Sequence, residues 1–312
     1  MSVHNGEKYL RLAIDSILNQ TFGDFEFIIV NDGSTDRSME ILNSYSDSRI
    51  RLICNESNIG LTDALNEGVK VARGTYIARM DCDDISLPER LARQVVFMDS
   101  FPQVGVCGTW ARDIDCAGKI IADRQRRTGK SLEYYYWIPS PVIHPSVMIR
   151  SDLIRRLRYD STVRYVEDFD LWLRTVKAGY RLHNLDEYLF LYRVHPESIS
   201  ASNLETQLYR SYESFCRHVT SQKISYEEYL SFYRGQYELN PLRRAIILFK
   251  LSKDIQRSYW VFFRDNIGYT KMWLQINLYN LISAMPGFSI LRRAKRQLKL
   301  FVSGLSGDGQ SI

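Results

Sequence analysis

Strand-like apolar runs alternate with amphipathic helical segments over residues 1–110. The runs at 25–30, 50–54 and 75–80 have the length and composition of buried strands, and apolar side chains recur with helical spacing between them. The helical positions are Leu10, Ala13, Ile14, Ile17 and Leu18 in the first segment, and Leu61, Leu65, Val69 and Ala72 in a later one. This alternation predicts an α/β fold, in which helices flank a mainly parallel sheet and ligands bind beyond the carboxyl ends of the strands.

Beyond residue 104 the pattern is first mixed and then helical. The pattern predicts strands at 104–114 and 147–150, a helix at 168–177, and two strands within 180–194. After residue 200 the apolar spacing is helical and the sequence is rich in Tyr and Phe. We therefore expect an α/β domain in residues 1–200 and a helical C-terminal region in residues 201–312.

Residues 1–5 have the pattern of a strand end that leads directly into the first helix. A strand in such a sheet has about five residues, so we expect this sequence to begin inside its own first strand. Two interpretations follow: the start is placed too late, or the product is truncated and impaired.

Charge is unevenly distributed along the chain, whose formal net charge is +5. Residues 242–312 contain 12 basic and 3 acidic residues, so the rest of the chain is acidic. Within this tail, Leu291 and Leu298 fall on one side of a predicted helix at 288–302, opposite several arginines. Such a helix binds an anionic membrane surface, or packs on its own domain with its basic face in solvent. No recognition motif accompanies these basic residues, which argues against nucleic acid as a partner.

The cysteines and the apolar segments favour the cytoplasm. The five cysteines contain no C-x-x-C pair, which is typical of small buried residues in a reducing compartment. We find neither a signal peptide nor a run of about 20 apolar residues. The expected location is therefore cytoplasmic, and peripheral on the inner face of the cell membrane if the basic tail binds lipid.

Three carboxylates lie within four residues in Asp81-Cys82-Asp83-Asp84, directly after a predicted strand. They repel one another unless a cation neutralises them, and oxygen-rich sites of this kind hold Mg²⁺ or Mn²⁺ together with substrate phosphates. The alternative is an acidic turn in solvent that caps the following helix. Because the motif follows a strand, at the sheet edge where ligands bind, we favour the metal site.

Two further acidic motifs have both a functional and a structural interpretation. Asp32 ends the strand in Val30-Asn31-Asp32-Gly33-Ser34-Thr35-Asp36, where it accepts a nucleobase N–H or belongs to a plain strand-to-helix turn with good capping residues. Glu167-Asp168 precedes an amphipathic segment, either as a general base or as favourable charges at a helix N-terminus. His144 and His195, in loops that contain proline, are either site residues or histidines in solvent.

These motifs resemble, in order and spacing, those of the family-2 glycosyltransferases. The resemblance covers about residues 2–200 and rests on Asn31 to Asp36, Asn58-Ile59-Gly60-Leu61, Arg73 to Asp84, Leu87 to Leu91, Glu167 to Leu173 and Tyr192 to His195. It implies a GT-A fold, an inverting mechanism, a nucleotide-sugar donor such as a UDP-sugar, and Mn²⁺ or Mg²⁺ as cofactor. The acceptor it implies is a saccharide or lipid-linked saccharide in bacterial surface polysaccharide or glycolipid synthesis.

The resemblance also implies a role for each motif residue by position. These roles are catalysis for Asp168 and Glu167, nucleotide binding for Asp32, Asp81, Arg79 and Asn5, metal binding for Asp83, Asp81 and His195, and the acceptor side for His144. Two features depart from the family pattern, namely Cys82, where a small residue is common, and the short first strand.

Three alternatives to an active glycosyltransferase follow from the same motifs. A phosphatase of the haloacid dehalogenase type also has a D-x-D motif after a strand, but it leaves Asp32 and Glu167-Asp168 unexplained. A non-catalytic or impaired homologue is the alternative that the short first strand raises. A dinucleotide-binding enzyme is disfavoured because no G-x-G-x-x-G follows an early strand.

Overall fold

The computed structural model describes residues 1–129, 132, 136–137, 139–195, 203–219 and 225–233. The predicted basic helix at 288–302 lies outside these residues, as does most of the predicted helical region 201–312. All described residues belong to one compact unit, Met1–Gly235. The division of the chain at residue 200 therefore stays a prediction.

The predicted alternation of strands and helices is present in the first third of the chain. In chain order, the described elements are β1 (Ser2–Val3), α1 (Leu10–Leu18), β2 (Phe27–Asp32), α2 (Ser38–Asn43), β3 (Ile50–Asn55), α3 (Leu61–Val71), β4 (Tyr76–Ala78), β5 (Ile85–Ser86), α4 (Arg90–Ser100), β6 (Val104–Ile114), β7 (Ile120–Arg124), a 3₁₀ turn (His144–Ser146), β8 (Met148–Arg150), α5 (Ser151–Leu157), α6 (Glu167–Lys177), β9 (Arg181–Arg193), α7 (Leu204–His218) and α8 (Tyr226–Tyr233). Among these, β5, β7, the 3₁₀ turn and α5 were not predicted.

The strands β1, β2 and β3 form a parallel sheet in that order, and Ser2 of β1 lies opposite Val30 of β2. Met1 continues this ladder, because the N–H of Val30 donates to its carbonyl and its amino group donates to the carbonyl of Ile28, each at 2.9 Å. Burial, together with the nearby charge of Arg79, lowers the pKa of the Met1 amino group to about 5. The amino group is therefore uncharged at neutral pH.

A second, mixed sheet has the strand order β4–β8–β6–β9–β5, and β7 pairs with β6. β9 runs parallel to β6, whereas the other pairs in this sheet are antiparallel. The prediction of two strands at 180–194 is wrong, because β9 is one strand of 13 residues. Its pairing skips residues 186–187, since Leu185 lies opposite Thr109 and Tyr188 lies opposite Trp110. This charged bulge interrupts the apolar pattern, which explains the error.

The core joins the first sheet to the face of α1 that the sequence predicts to be apolar. Leu10, Ala13 and Ile14 have no exposed surface and lie in one cluster with Val3 and Ile29. Each fully buried Leu or Ile stabilises the fold by ~1.5–3 kcal/mol. Among the described residues, no helix combines the length and the apolar character that crossing a membrane requires.

A buried carboxylate ties α7 to α6. Asp170 has no exposed surface, and its Oδ2 accepts a hydrogen bond from Nε of Arg174 at 2.7 Å. Its Oδ1 lies 2.8 Å from Nε2 of His218 on α7. Since α6 begins at Glu167, this contact helps to hold the predicted catalytic acids in place.

Candidate active site

The two sheets meet at β1, beside the predicted acidic motif. Ser2 forms a parallel bridge with Asp81 on one side and pairs with Val30 on the other. The carboxyl ends of β2 and of the β4 segment therefore lie at the same edge, one strand apart. Asp81, Asp83 and Asp84 each place a carboxylate oxygen there, and these oxygens lie within 4.8 Å of one another.

This crowding changes the protonation of the acids. Burial, and then the charges of Asp83 and Asp81, raise the pKa of Asp84 well above its usual range. Burial also raises the pKa of Asp81, with the charge of Arg79 opposing the shift. Asp84 is 2% exposed, and its Oδ2 has no hydrogen-bond partner among the described residues. A site that leaves a buried carboxylate oxygen unpartnered beside two other acids is one that a divalent cation fits.

Arg79 forms a bidentate ion pair with Asp81. The distances are 2.6 Å from Nη1 to Oδ2 and 2.5 Å from Nη2 to Oδ1. Arg79 is 6% exposed, and within the described part of the chain its Nε has no hydrogen-bond partner. A charged guanidinium buried in this way is a strong attractor for an anionic group such as a phosphate.

His195 lies against Asp83, the central acid of the motif. Its Nε2 is 2.9 Å from Oδ2 of Asp83. An imidazole nitrogen and a carboxylate oxygen at this separation are both common ligands of Mn²⁺-type cations. The fold therefore brings together Asp83 and His195, two of the three residues to which the resemblance assigns metal binding.

Arg193 holds the acidic motif in place through hydrogen bonds to Asp83 and Asp84. The sequence analysis assigned it no role. Its N–H donates to Oδ1 of Asp84 at 2.7 Å, and its Nε donates to the carbonyl of Asp83 at 2.7 Å. Its Nη1 donates to the carbonyl of Asp115 at 2.8 Å, and its guanidinium lies 4.2 Å from the ring centroid of Tyr9. The signal was present in the sequence, because Arg193 belongs to the Tyr192-Arg193-Val194-His195 motif.

Glu167 and Asp168 begin α6, within electrostatic range of the motif. Burial and the charge of Asp168 raise the pKa of Glu167 to about 7, with smaller effects from Arg79 and Asp81. Burial raises the pKa of Asp168, although the N–H of Phe169, which donates to its Oδ1 at 2.7 Å, opposes the shift. Arg79 and Asp81 act on both acids. The two acidic motifs, far apart in sequence, therefore lie near enough to influence each other's ionisation.

His144 faces the same region through a tyrosine. Its Nε2 lies 2.9 Å from the hydroxyl of Tyr159. Burial, and then the charge of Arg79, lower the pKa of His144 well below its usual value, so its ring is neutral at pH 7. Tyr159 was not singled out from the sequence. Burial raises its pKa, and the charges of Arg79, Asp168 and Glu167 also act on it.

Asp32 and Asn5 order the loops at the same sheet edge. Asp32 is 2% exposed, and it accepts hydrogen bonds from Nδ2 of Asn55 at 3.0 Å, from N of Ile59 at 2.9 Å and from N of Gly60 at 3.0 Å. A carboxylate offers about four acceptor positions, so these three hydrogen bonds occupy most of them. Asn5 Oδ1 accepts the N–H of Thr35 at 2.8 Å, which joins the loop after β1 to the loop after β2.

The chain matches known glycosyltransferases in sequence. The model of the family described as "Glycosyl transferase family 2" matches residues 1–157. An uncharacterized glycosyltransferase of Methanocaldococcus jannaschii is 34% identical over 222 residues, which are 70% of this chain and 77% of that protein. The O-antigen biosynthesis glycosyltransferase WbnJ of Escherichia coli is 36% identical over 65% of this chain and 82% of its own length. The amylovoran biosynthesis glycosyltransferase AmsE of Erwinia amylovora is 30% identical over 67% and 83%, respectively.

Solved structures resemble the fold. TarS 1-349 of S. aureus in complex with UDP-GlcNAc has a TM-score of 0.57 at 17% identity, covering 91% of this chain and 80% of that one. The mannosyltransferase PcManGT of Pyrobaculum calidifontis, in complex with GDP-Man and Mn²⁺, has a TM-score of 0.57 at 16% identity, covering 91% and 84%. A longer TarS chain is spanned over 49% of its length. These likenesses confirm the predicted mixed α/β fold of the GT-A type.

Proposed function

The chain belongs to glycosyl transferase family 2, and from that premise we propose that it transfers a sugar from a UDP-sugar to a hydroxyl acceptor with inversion. The observation that carries the proposal is the cluster of Asp81, Asp83 and Asp84 beside the buried Arg79, since Arg79 and Asp81 also act on the pKa of Glu167 and of Asp168. The acceptor is a saccharide or lipid-linked saccharide of surface polysaccharide synthesis. Support for that acceptor class comes from the relatives named for O-antigen and amylovoran biosynthesis.

Asp83, Asp81 and His195 hold a divalent cation, Mn²⁺ or Mg²⁺, in this proposal. The supporting observations are the three clustered carboxylates, the 2.9 Å contact between Asp83 and His195, and the Asp84 oxygen, for which the described part of the chain offers no hydrogen-bond partner. When bound, such a cation offsets the negative charge that develops on the leaving diphosphate. Arg79 adds a fixed positive charge near the same group, and Asp32 and Asn5 border the nucleotide.

Asp168 acts as the general base. Its carboxylate takes the proton of the acceptor hydroxyl while that oxygen bonds to the anomeric carbon and the bond from this carbon to the diphosphate oxygen breaks. Attack from the face opposite the leaving group inverts the anomeric configuration. Glu167 lies beside the base, and its raised pKa leaves it partly protonated at neutral pH, which reduces its repulsion of Asp168. His144, held neutral beside Tyr159, borders the acceptor.

The test separates chemistry from donor binding. Asp168→Asn should lower kcat at least about 100-fold with the productive UDP-sugar of a donor screen, because it removes the base, yet leave the affinity for UDP within about twofold. Asp152→Asn is the matched control, because Asp152 is an exposed acid in the first turn of another helix. An equal loss of transfer and of UDP binding in Asp168→Asn would contradict the assignment of Asp168 as the general base. Full activity of the parent chain in EDTA would contradict the proposed cation.

A further inference from the structure

The backbone of Tyr165 is strained, and Tyr165 lies two residues before Glu167. Its φ is 71°, in the left-handed region. Glycine adopts this conformation readily, whereas a bulky side chain is an outlier there. In the described part of the chain, Tyr165 is the one aromatic residue with a positive φ, and the other non-glycine residues are Asn5, Ser140 and Arg158. Strained residues of this kind cluster at active sites and at ligand-binding surfaces.

Two buried valines fix the segment that contains Tyr165. Val163 and Val166 are 5% and 3% exposed. A turn precedes them, in which the N–H of Val163 donates to the carbonyl of Asp160 at 3.1 Å. Oδ1 of Asp160 also accepts the N–H of Thr162 at 2.9 Å. Because both valines are held in the core, the residues between them lie at the surface.

The ring of Tyr165 contributes little to the stability of the chain. Tyr165 is 42% exposed. Within the residues that the structure describes, its ring stacks on no aromatic or cationic side chain and its hydroxyl makes no hydrogen bond. Tyr159 is the contrast, because it is 5% exposed and its hydroxyl lies 2.9 Å from Nε2 of His144. A strained ring that is left largely in water stabilises the fold little, whereas a ligand that covers it removes apolar surface from water.

Tyr165 is close to the proposed base along the chain. Val166 alone separates it from Glu167, the first residue of α6. Three residue steps of extended chain span at most about 11 Å, so the backbone of Tyr165 lies no farther than that from the backbone of Asp168. An acceptor saccharide with its hydroxyl at Asp168 therefore has its neighbouring sugar units within reach of this ring.

The surroundings of the ring fit a saccharide. A pyranose has an apolar face of C–H bonds and a rim of hydroxyls, and a Tyr side chain likewise combines an apolar ring face with a polar tip. Thr162 and Arg164 are exposed on the same segment, and their hydroxyl and guanidinium groups form hydrogen bonds with hydroxyls. A lipid chain in this place would leave those polar groups without partners.

We propose that Tyr165 stacks on a pyranose ring of the acceptor. This inference rests on the proposed function and deepens it, because it assigns a binding contact to the sugar part of the acceptor. The left-handed φ sets where the ring emerges from the segment between Val163 and Val166. The strain is the cost of that placement.

The test compares Tyr165→Gly with the matched control Arg158→Gly in the full chain. Both residues are exposed and have a positive φ, 71° and 51°, so glycine relieves strain at each position, but only the first variant lacks the ring. The control keeps the Arg158 carbonyl, which accepts a hydrogen bond from Nη2 of Arg174 at 2.9 Å. Both variants should have a Tm at or above that of the parent chain.

Binding is measured by NMR titration with the methyl pyranosides of glucose, galactose and mannose, in the presence of UDP and Mn²⁺. Tyr165→Gly should weaken the binding of those pyranosides that bind the parent chain by about fivefold or more, since it removes the contact surface. Tyr165→Phe keeps the ring, so its affinity and that of Arg158→Gly should stay within about twofold of the parent chain. The Kd for UDP should also stay within about twofold in all variants.

Equal pyranoside affinities of the parent chain and Tyr165→Gly would overturn the proposal, and so would a parent chain that binds none of these pyranosides. An equal loss of affinity in Arg158→Gly would overturn it as well, because strain relief and not the ring would then change binding. A Tm of Tyr165→Gly more than about 4 °C below that of the parent chain would show that the ring serves the fold, which also refutes the proposal.

The UDP titration separates this inference from the proposed function. Unchanged pyranoside binding in Tyr165→Gly, beside intact UDP binding, refutes only the role of Tyr165. A parent chain that does not bind UDP refutes the proposed transfer from a UDP-sugar itself.

Discussion

The acidic motif predicts a protein that becomes more stable when one of its acids is neutralised. In Asp84→Asn, the side-chain oxygen still accepts the N–H of Arg193, while the new NH₂ group replaces the Oδ2 atom that has no hydrogen-bond partner among the described residues. The amide also carries no negative charge, so it removes the repulsion from Asp83 and Asp81. We therefore expect the metal-free variant to unfold at a higher temperature than the parent chain.

The stability that Asp84→Asn should gain follows from the spacing of the carboxylates. The carboxylate oxygens lie within 4.8 Å of one another, and two unit charges at that limit repel by about 3.5 kcal/mol at an effective dielectric constant of about 20. Protonation of Asp84, whose pKa is raised by burial and by its neighbours, limits the cost. We expect a net gain of about 2 kcal/mol at pH 7, which corresponds to a rise in Tm of about 4–8 °C.

The pH dependence of stability tests whether repulsion among the carboxylates causes this difference. Because the pKa of Asp84 is higher in the folded than in the unfolded chain, the folded state binds more protons, and the parent chain loses stability as the pH rises above about 4. The advantage of the variant should therefore be large at pH 7 and vanish near pH 4.

The assay is thermal unfolding in EDTA across this pH range, repeated with Mn²⁺. The exposed Asp152→Asn serves as the control for loss of a carboxylate. Mn²⁺ should stabilise the parent chain more than Asp84→Asn, since the variant has lost one of the clustered charges. A lower Tm for Asp84→Asn in EDTA, or a gain that persists at pH 4, would refute the electrostatic argument.

Three further predictions concern the framework of the site. Asp170→Asn should lower Tm by about 6–12 °C, because breaking the buried pair of Asp170 with Arg174 costs about 3 kcal/mol. This decrease in Tm should become smaller below about pH 4. An unchanged Tm in calorimetry would contradict the role given to Asp170. Gly33→Ala should lower the free energy of unfolding more than Gly118→Ala does. Both glycines have a positive φ, but only at residue 33 would the added Cβ lie 2.4 Å from a backbone carbon, that of Ser57. Equal midpoints of urea unfolding in the two variants would show instead that the loop after β3 moves aside at little cost. Arg193→Lys should weaken Mn²⁺ binding about 10-fold or more, as measured by titration calorimetry. The reason is that Lys cannot replace both hydrogen bonds of Arg193, to the carbonyl of Asp83 and to that of Asp115. An unchanged Kd would show that Arg193 does not support the metal site.

Local patterns in the sequence predicted the elements that carry the site. Helical spacing identifies the buried face of α1, and short apolar runs identify β2, β3 and β4, because side-chain periodicity reflects which face is buried. A carboxylate that directly follows a predicted strand must lie at the carboxyl edge of the sheet. The edge position of Asp32, Asp81 and Asp83 could therefore be predicted without coordinates.

The polar or irregular elements could not be predicted in this way. β7 is exposed along most of its length, so its apolar Ile120 and Ile121 carry no burial pattern. β9 contains a charged bulge and resembled two strands. In both cases the pairing with β6 decides the structure, and such pairing leaves little trace in a local window.

The chain by itself determined the order of elements and the identity of the acids, because both depend on residues that are neighbours in sequence. Only the tertiary structure decided which acids lie close to one another and how they ionise. The contact between Asp83 and His195 spans 112 positions, and the hydrogen bond from Arg193 to the Asp83 carbonyl spans 110. Burial, which raises the pKa of Asp84 and Glu167, is a property of the packed chain and has no local signature.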